Sequence, residues 1–175
     1  MSKNATPAEA EKTGTQMLTF VGPDQVADAI KAAGCAVTPI EQDGIVRLHS
    51  ACHGVGFQVL WGNAQAKDQY ADFTFSCPLR VQGGDLPAAL LTEWHRTKRF
   101  ARVSRHGDFV VLEMDVVAAG GVSASHLVVA AQIWTQMMGQ FFLYLRNFRA
   151  EQAGADAAAT QAAVQAEGEP AAVSA

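Results

Sequence analysis

The sequence predicts an α+β fold, a twisted and mainly antiparallel sheet with helices packed on it, in the order α-β-β-β-α-β-β-α. Three observations predict it. Apolar and polar residues alternate with period two between residues 45 and 79 and again between 100 and 115, the pattern of strands with one buried face. Apolar residues recur at helical spacing in three other windows, near residues 23–33, 86–94 and 123–148. The strands are grouped and do not alternate singly with helices, which favours α+β over a doubly wound parallel sheet.

Each element has its own local reason. Gly22, Pro23 and Asp24 suit a helix start, and Val26, Ala29, Ile30 and Ala33 make its apolar stripe up to Gly34, which can end it in a left-handed conformation. Cys35 to Ile40 reads as a short strand, and Pro39 within it points to a sheet edge. After the Gln42-Asp43-Gly44 turn, Ile45–Cys52, Val55–Trp61 and Phe73–Leu79 alternate as strands. Gly83-Gly84 breaks the sheet, and Asp85 with Leu86 and Pro87 opens a second helix whose stripe is Leu86, Leu90 and Trp94. A hairpin of Phe100–Ser104 and Phe109–Asp115 follows. Gly120-Gly121 is another break. Ser123 caps the last helix, where Leu127, Ala130, Ala131, Trp134, Met138, Phe141 and Leu145 form a long stripe widened by Ile133, Met137 and Tyr144.

The 175 residues suit one domain, expected to span residues 16–148, with a flexible polar tail at 1–15 and a flexible Ala-rich tail at 149–175. Hydrophobic residues make up 49% and charged residues 17%, enough apolar matter for a core. A net charge of -4 with pI near 5.7 argues against tight nucleic-acid binding, which depends on clustered Lys and Arg. Cys35, Cys52 and Cys77 are odd in number and widely spaced, so a disulfide framework is not expected. With no signal-peptide pattern or membrane-spanning stretch, the expected place is the cytoplasm.

The hairpin sorts its residues by face. With His106-Gly107 as the two-residue turn, Val103 would pair with Val110 and Ala101 with Leu112. Ala101, Val103, Val110, Leu112 and Met114 would then turn inward. Phe100, Arg102, Phe109, Val111, Glu113 and Asp115 would face out, with Arg102 diagonal to Glu113 in a register-fixing ion pair. Phe100, Phe109 and Val111 would form an apolar strip in need of cover, a candidate dimer or partner surface.

Trp94, Arg99-Phe100-Ala101-Arg102, the Gly-Asp turn, Leu112-Glu113-Met114-Asp115 and Gly120-Gly121-Val122 before a long helix resemble the YbjN family. The likeness is tight over Trp94 to Phe148 and looser from Pro23 to Leu79. It implies a fold similar to type III secretion chaperones, often dimeric, and a role in bacterial sensory transduction or stress regulation. It implies no catalytic residues. The hairpin turn here is shorter than the acidic turn associated with the family.

Motifs that could carry chemistry have bland competitors. His49, Cys52 and His53 are the best metal candidates, with Cys35 and Cys77 in reach only if the strands bring them close; there is no paired C-x-x-C, so solvent-side His and core Cys are the expected reading. No nucleophile elbow or Cys-His spacing marks a hydrolase, and no catalytic, cofactor or metal site is expected. Gly54-Val55-Gly56 and Gly120-Gly121 lack the strand-loop-helix context of a phosphate loop. His95, Arg96, Lys98, Arg99, Arg102, Arg105 and His106 form a basic cluster that could serve a nucleic-acid or anionic-ligand site, but a solvated helix end followed by register-setting strand charges is the expected reading. Trp61, Trp94 and Trp134 could line a pocket, but Trp94 and Trp134 suit a core. On the last helix, Met137 and Phe142 lie off the main stripe and are candidates for a dimer or client contact.

The function expected is thus a non-catalytic dimeric module that binds protein in a regulatory or chaperone-like role. Its partner surface is Phe100, Arg102, Phe109, Val111, Glu113, Met137 and Phe142. The competing reading is a sensor for a small ligand, and an enzyme of unrecognised type stands behind both. Membrane contact is not expected.

Overall fold

The computed structural model describes residues 16–81 and 87–167. The tail assigned to residues 1–15, the Gly83-Gly84 break, Asp85 and Leu86, and residues 168–175 lie outside these. The elements run β1 (Met17–Leu18), α1 (Pro23–Ala32), β2 (Ala36–Gln42), β3 (Ile45–Cys52), β4 (Val55–Trp61), β5 (Ala64–Ala66), β6 (Gln69–Tyr70), β7 (Asp72–Arg80), α2 (Ala88–Thr97), β8 (Arg102–His106), β9 (Phe109–Val117), β10 (Val122–Ser123) and α3 (Ala124–Glu167). Six strands form one antiparallel sheet in the order β2-β3-β4-β7-β9-β8. The fold is α+β, as the grouping of strands predicts. Between α1 and α2 the large sheet takes four strands, the three alternating ones and the Pro39 segment, which pairs along its whole length as edge strand β2, as Pro39 suggests, and which the order α-β-β-β-α-β-β-α leaves uncounted.

The helix ends follow local chemistry. Gln25 Oε1 accepts the Gly22 N–H at 2.9 Å at the start of α1. At its end Gly34 takes φ +89°, and two backbone bonds close the turn, Gly34 N–H to Lys31 O at 2.9 Å and Cys35 N–H to Ile30 O at 3.2 Å. That pair is a Schellman motif, and it fixes where Cys35 enters β2. Ser123 Oγ accepts the His126 N–H at 3.2 Å, so the expected cap of α3 is in place. The helix does not stop near 148. It runs on to Glu167 through Ala-rich sequence, and Ala has the highest helix propensity of any residue. The Ala-rich stretch expected as a tail from 149 is thus helical as far as Glu167.

One face of the sheet meets the helices. Leu48, Phe57, Val59, Phe73, Phe75, Cys77, Val103, Val110, Leu112, Met114 and Val116 are buried together with Trp94 of α2 and Leu127, Ala131, Trp134, Met138 and Phe141 of α3. Trp134 stacks on Phe75 at 5.6 Å between ring centroids and meets Phe57 edge-on at the same distance. Trp94 packs on Phe141 and donates its Nε1–H to Ala101 O at 2.9 Å, tying α2 to the start of β8. Tyr144 then donates from its hydroxyl to Leu90 O at 2.7 Å, which binds α3 to α2.

The hairpin differs from expectation by a two-residue slide. Its turn is Gly107-Asp108, with Gly107 at φ +56° in the first central position, and Val103 pairs with Leu112. A slide of two keeps every side chain on its face, because strands alternate with period two. It does move Arg102 from a diagonal position to one directly opposite Glu113.

Candidate functional site

The second face of the large sheet has no helix over it among the described residues. Registers across all five pairings place Thr38, His49, Gln58, Ser76, Glu113 and Arg102 in one transverse row from edge to edge. The row is polar from β2 to β8, with Ser76 at its middle buried among its neighbours. Toward the β2–β3 turn the composition changes. Ile40, Ile45 and Val117 are 46%, 41% and 59% exposed, and half-buried Leu60 shares their face. Arg47, Thr74 and Asp115 stand between them.

Arg102, on edge strand β8, organises the charges here. Its Nε donates to Glu113 Oε2 at 3.2 Å and its Nη1 donates to Asp115 Oδ2, while Thr74 Oγ1 donates to Asp115 Oδ1 at 2.6 Å. Three strands are thereby linked through side chains. The hydrogen bond to Asp115 heads the causes that lift the Arg102 guanidinium above its ordinary pKa. Partial burial alone would raise the Asp115 carboxyl, but its bonds to Arg102 and Thr74 and the Arg102 charge hold it below the usual aspartate range. This arrangement sets strand register and presents both signs of charge at the rim. It has no unpaired nucleophile or base in it.

The expected apolar strip is only partly there. Phe100 is 60% exposed and Phe109 is 42% exposed. Phe100 precedes β8 and Phe109 opens β9, which sets them at opposite ends of the hairpin, about 20 Å apart at strand rise. Val111, expected between them as exposed, is buried, flanked by Pro78 of β7 and Ser104 of β8. Met137 is likewise corrected: it belongs to the buried core beside Met138. Both residues drop out of the candidate surface, because strand neighbours on both sides and a wide helix stripe cover more than the period alone reveals. Phe142 is half-buried against the core and meets the His53 ring edge-on at 6.5 Å.

Phe100 has a further property. It sits at φ +70°, a left-handed conformation that a bulky side chain adopts only under constraint, and Arg99 lies over its ring at 5.0 Å. The constraint comes from Trp94, whose bond to Ala101 O pins the next residue. An aromatic ring is thus held out at the sheet margin by a backbone anchored in the core.

The other candidates resolve into local contacts. His53 occupies the β3–β4 turn and leans on α3, with Nε2 3.0 Å from Thr135 O, while His49 stands on the open face in the transverse row. Among the described residues no three His, Cys, Asp or Glu side chains group as metal ligands. In the basic segment, Arg96 pairs with Glu93 at 2.6 Å, Arg105 Nε donates to Gly107 O at 3.2 Å, His95 Nε2 lies 3.0 Å from Val103 O, and His106 Nε2 lies 3.0 Å from Ser104 Oγ. Most of its polar groups are therefore engaged within the chain. Trp61 stacks on Tyr70 at 4.6 Å and donates to Val46 O at 2.7 Å, and Trp94 and Trp134 are fully buried. Gly54 is part of the β3–β4 turn, and Gly120-Gly121 precedes β10. Sequence reasoning missed Thr74 and the apolar end of the open face, because both appear only once the strand order is known.

A sheet with helices on one face and a charged, partly apolar second face defines an α+β domain built around a surface. The chain belongs to the YbjN family, whose model, described as "Putative bacterial sensory transduction regulator", matches residues 22–147. The match opens at the Gly22 cap and ends within α3. No curated protein matches the chain. Family membership supports a regulatory role. Among the described residues, no helix is long and apolar enough to cross a membrane.

Proposed function

We propose that this chain is a non-catalytic cytoplasmic regulator that works by binding protein in a chaperone-like manner, and that the first protein it binds is a second copy of itself. The observation that carries this is the apolar end of the open sheet face, where Ile40, Ile45, Leu60 and Val117 stand on four different strands with no helix over them among the described residues. Burying such residues against another chain supplies association energy of roughly 25 cal/mol per Å² of apolar surface, less the cost of immobilising the partners. Arg47 and the Arg102–Asp115 pair give the same region both signs of charge. A two-fold interface must match itself, so a patch carrying both signs is fit for pairing with its own copy. Phe100 at the margin extends the apolar area without cost in the core.

The double variant Ile45→Asp, Val117→Asp tests this. Both side chains are exposed in the single chain, so the fold is expected to survive, as circular dichroism would show. Light scattering is expected to give a dimer mass for the unaltered protein and a monomer mass for the variant. A monomer mass for the unaltered protein at high concentration, or an unchanged dimer mass in the folded variant, rules the reading out.

A further inference from the structure

Two of the three cysteines face each other. The β2–β3 register pairs Ala36 with Ala51, and one step further along the same register Cys35 stands opposite Cys52. Both thiols turn to the inner face: Cys35 is buried, Cys52 is half-buried, and their side chains are in hydrogen-bonding contact. Opposed residues of an antiparallel pair have Cα atoms about 4.5–5.5 Å apart, within the range that a disulfide bridges without moving the backbone. Cys77, the third thiol, lies in β7 opposite Leu112, with β4 between its strand and that of Cys52.

We infer that Cys35 and Cys52 form a reversible disulfide site, oxidised by a low-molecular-weight disulfide of the glutathione class. This goes beyond the docking reading and does not depend on it. The accessible thiol acts first. The Cys52 thiolate attacks one sulfur of the small disulfide; that S–S bond breaks, one small thiolate leaves and takes up a proton, and Cys52 carries a mixed disulfide. Cys35 then loses its proton to solvent and attacks the Cys52 sulfur, and the second small thiolate leaves. Two protein thiols and one small disulfide become one protein disulfide and two small thiols, so two electrons pass from the protein to the oxidant.

The surroundings assign these roles. Burial first, and then the nearby Cys52, push the Cys35 thiol up to about 11, so it is a poor initial nucleophile in open solution. Once the mixed disulfide forms beside it, the reaction is intramolecular and proximity offsets its low thiolate fraction. The bond would join the Schellman turn at the end of α1 to the last residue of β3, directly before the His53 turn that rests on α3. Oxidation thereby braces the α1 end of the fold against the β3–β4 hairpin.

Trypsin separates the three cysteines, with Cys35 in residues 32–47, Cys52 in 48–67 and Cys77 in 68–80. The full-length native protein is equilibrated in glutathione buffers of increasing disulfide fraction, then unfolded in acid denaturant, alkylated, digested and read by mass spectrometry. The expected result is loss of two of the three thiols, peptides 32–47 and 48–67 joined by one disulfide, and Cys77 alkylated throughout. Cys35→Ala is expected to stop at a stable glutathione adduct on Cys52, and Cys52→Ala to remain reduced. Alkylation of both cysteines in the most oxidising buffer, a glutathione adduct as the end state of the unaltered protein, or a cross-link only between two chains overturns the inference.

Discussion

The imidazole of His53 rests on the bare backbone of Gly139. A Cβ at position 139 would meet His53 Nε2 at 3.1 Å, and the same nitrogen lies within hydrogen-bonding distance of Thr135 O, one turn earlier on α3. A glycine inside a helix is less favourable than alanine by about 1 kcal/mol. Here the missing side chain is what lets the β3–β4 turn lie against the helix.

That contact predicts a coupling. In a His53→Ala background, Gly139→Ala should stabilise the protein by about 1 kcal/mol, the ordinary gain of replacing a helical glycine. With His53 present the same substitution should give little or no gain, because the imidazole must shift and loosen its bond to Thr135 O. A double-mutant cycle read by urea denaturation measures the difference. Equal gains in both backgrounds would show that His53 and Gly139 do not interact energetically.

Phe100 allows the fold to be separated from its surface. A non-glycine residue at positive φ carries a cost of roughly 1–2 kcal/mol, which glycine relieves, while the exposed contact with Arg99 recovers only about 0.5–1 kcal/mol. Phe100→Gly is therefore expected to leave monomer stability unchanged or raised by up to about 1 kcal/mol. If the ring serves the interface, the same variant weakens the dimer in sedimentation experiments. A fall in monomer stability would instead make Phe100 a structural residue.

The elements legible in the sequence were those with a local cause. Gly34 and Ser123 act through bonds to residues three to five positions away, so the end of α1 and the start of α3 can be read directly. Period-two alternation gave the two faces of β9, and it survived the hairpin slide because two residues restore the same face. Quantities set by neighbours in space were not legible. Val111 alternates as an outward residue, yet it is buried between Pro78 and Ser104 on the neighbouring strands. Cys35 and Cys52 are 17 positions apart (52 minus 35), and only the β2–β3 register brings them together. The excursion of β5 and β6 between β4 and β7 contains Ala64, Gln65 and Ala66, which carry no strand pattern at all. The open-face patch required the full strand order, since its apolar members come from β2, β3, β4 and β9.

Cys77 predicts how stability responds to alkali. Its side chain is fully buried opposite Leu112, and burial raises its pKa from 9.0 to about 11. Between these values the unfolded thiol gives up its proton and the folded one keeps it. The unfolded state then binds fewer protons, so stability falls as pH rises. The contribution is intact below about pH 9 and lost by about pH 11, and a two-unit shift corresponds to as much as about 3 kcal/mol for this thiol. Cys35 adds a loss in the same direction and the same pH range. Cys77→Ala should cost about 1 kcal/mol at pH 7, since it removes one buried sulfur, yet it should flatten the decline between pH 9 and 11. Urea denaturation across that range compares the two proteins. Parallel pH profiles would mean that Cys77 ionises in the folded protein as readily as in the unfolded chain, and that its core position does not shield it.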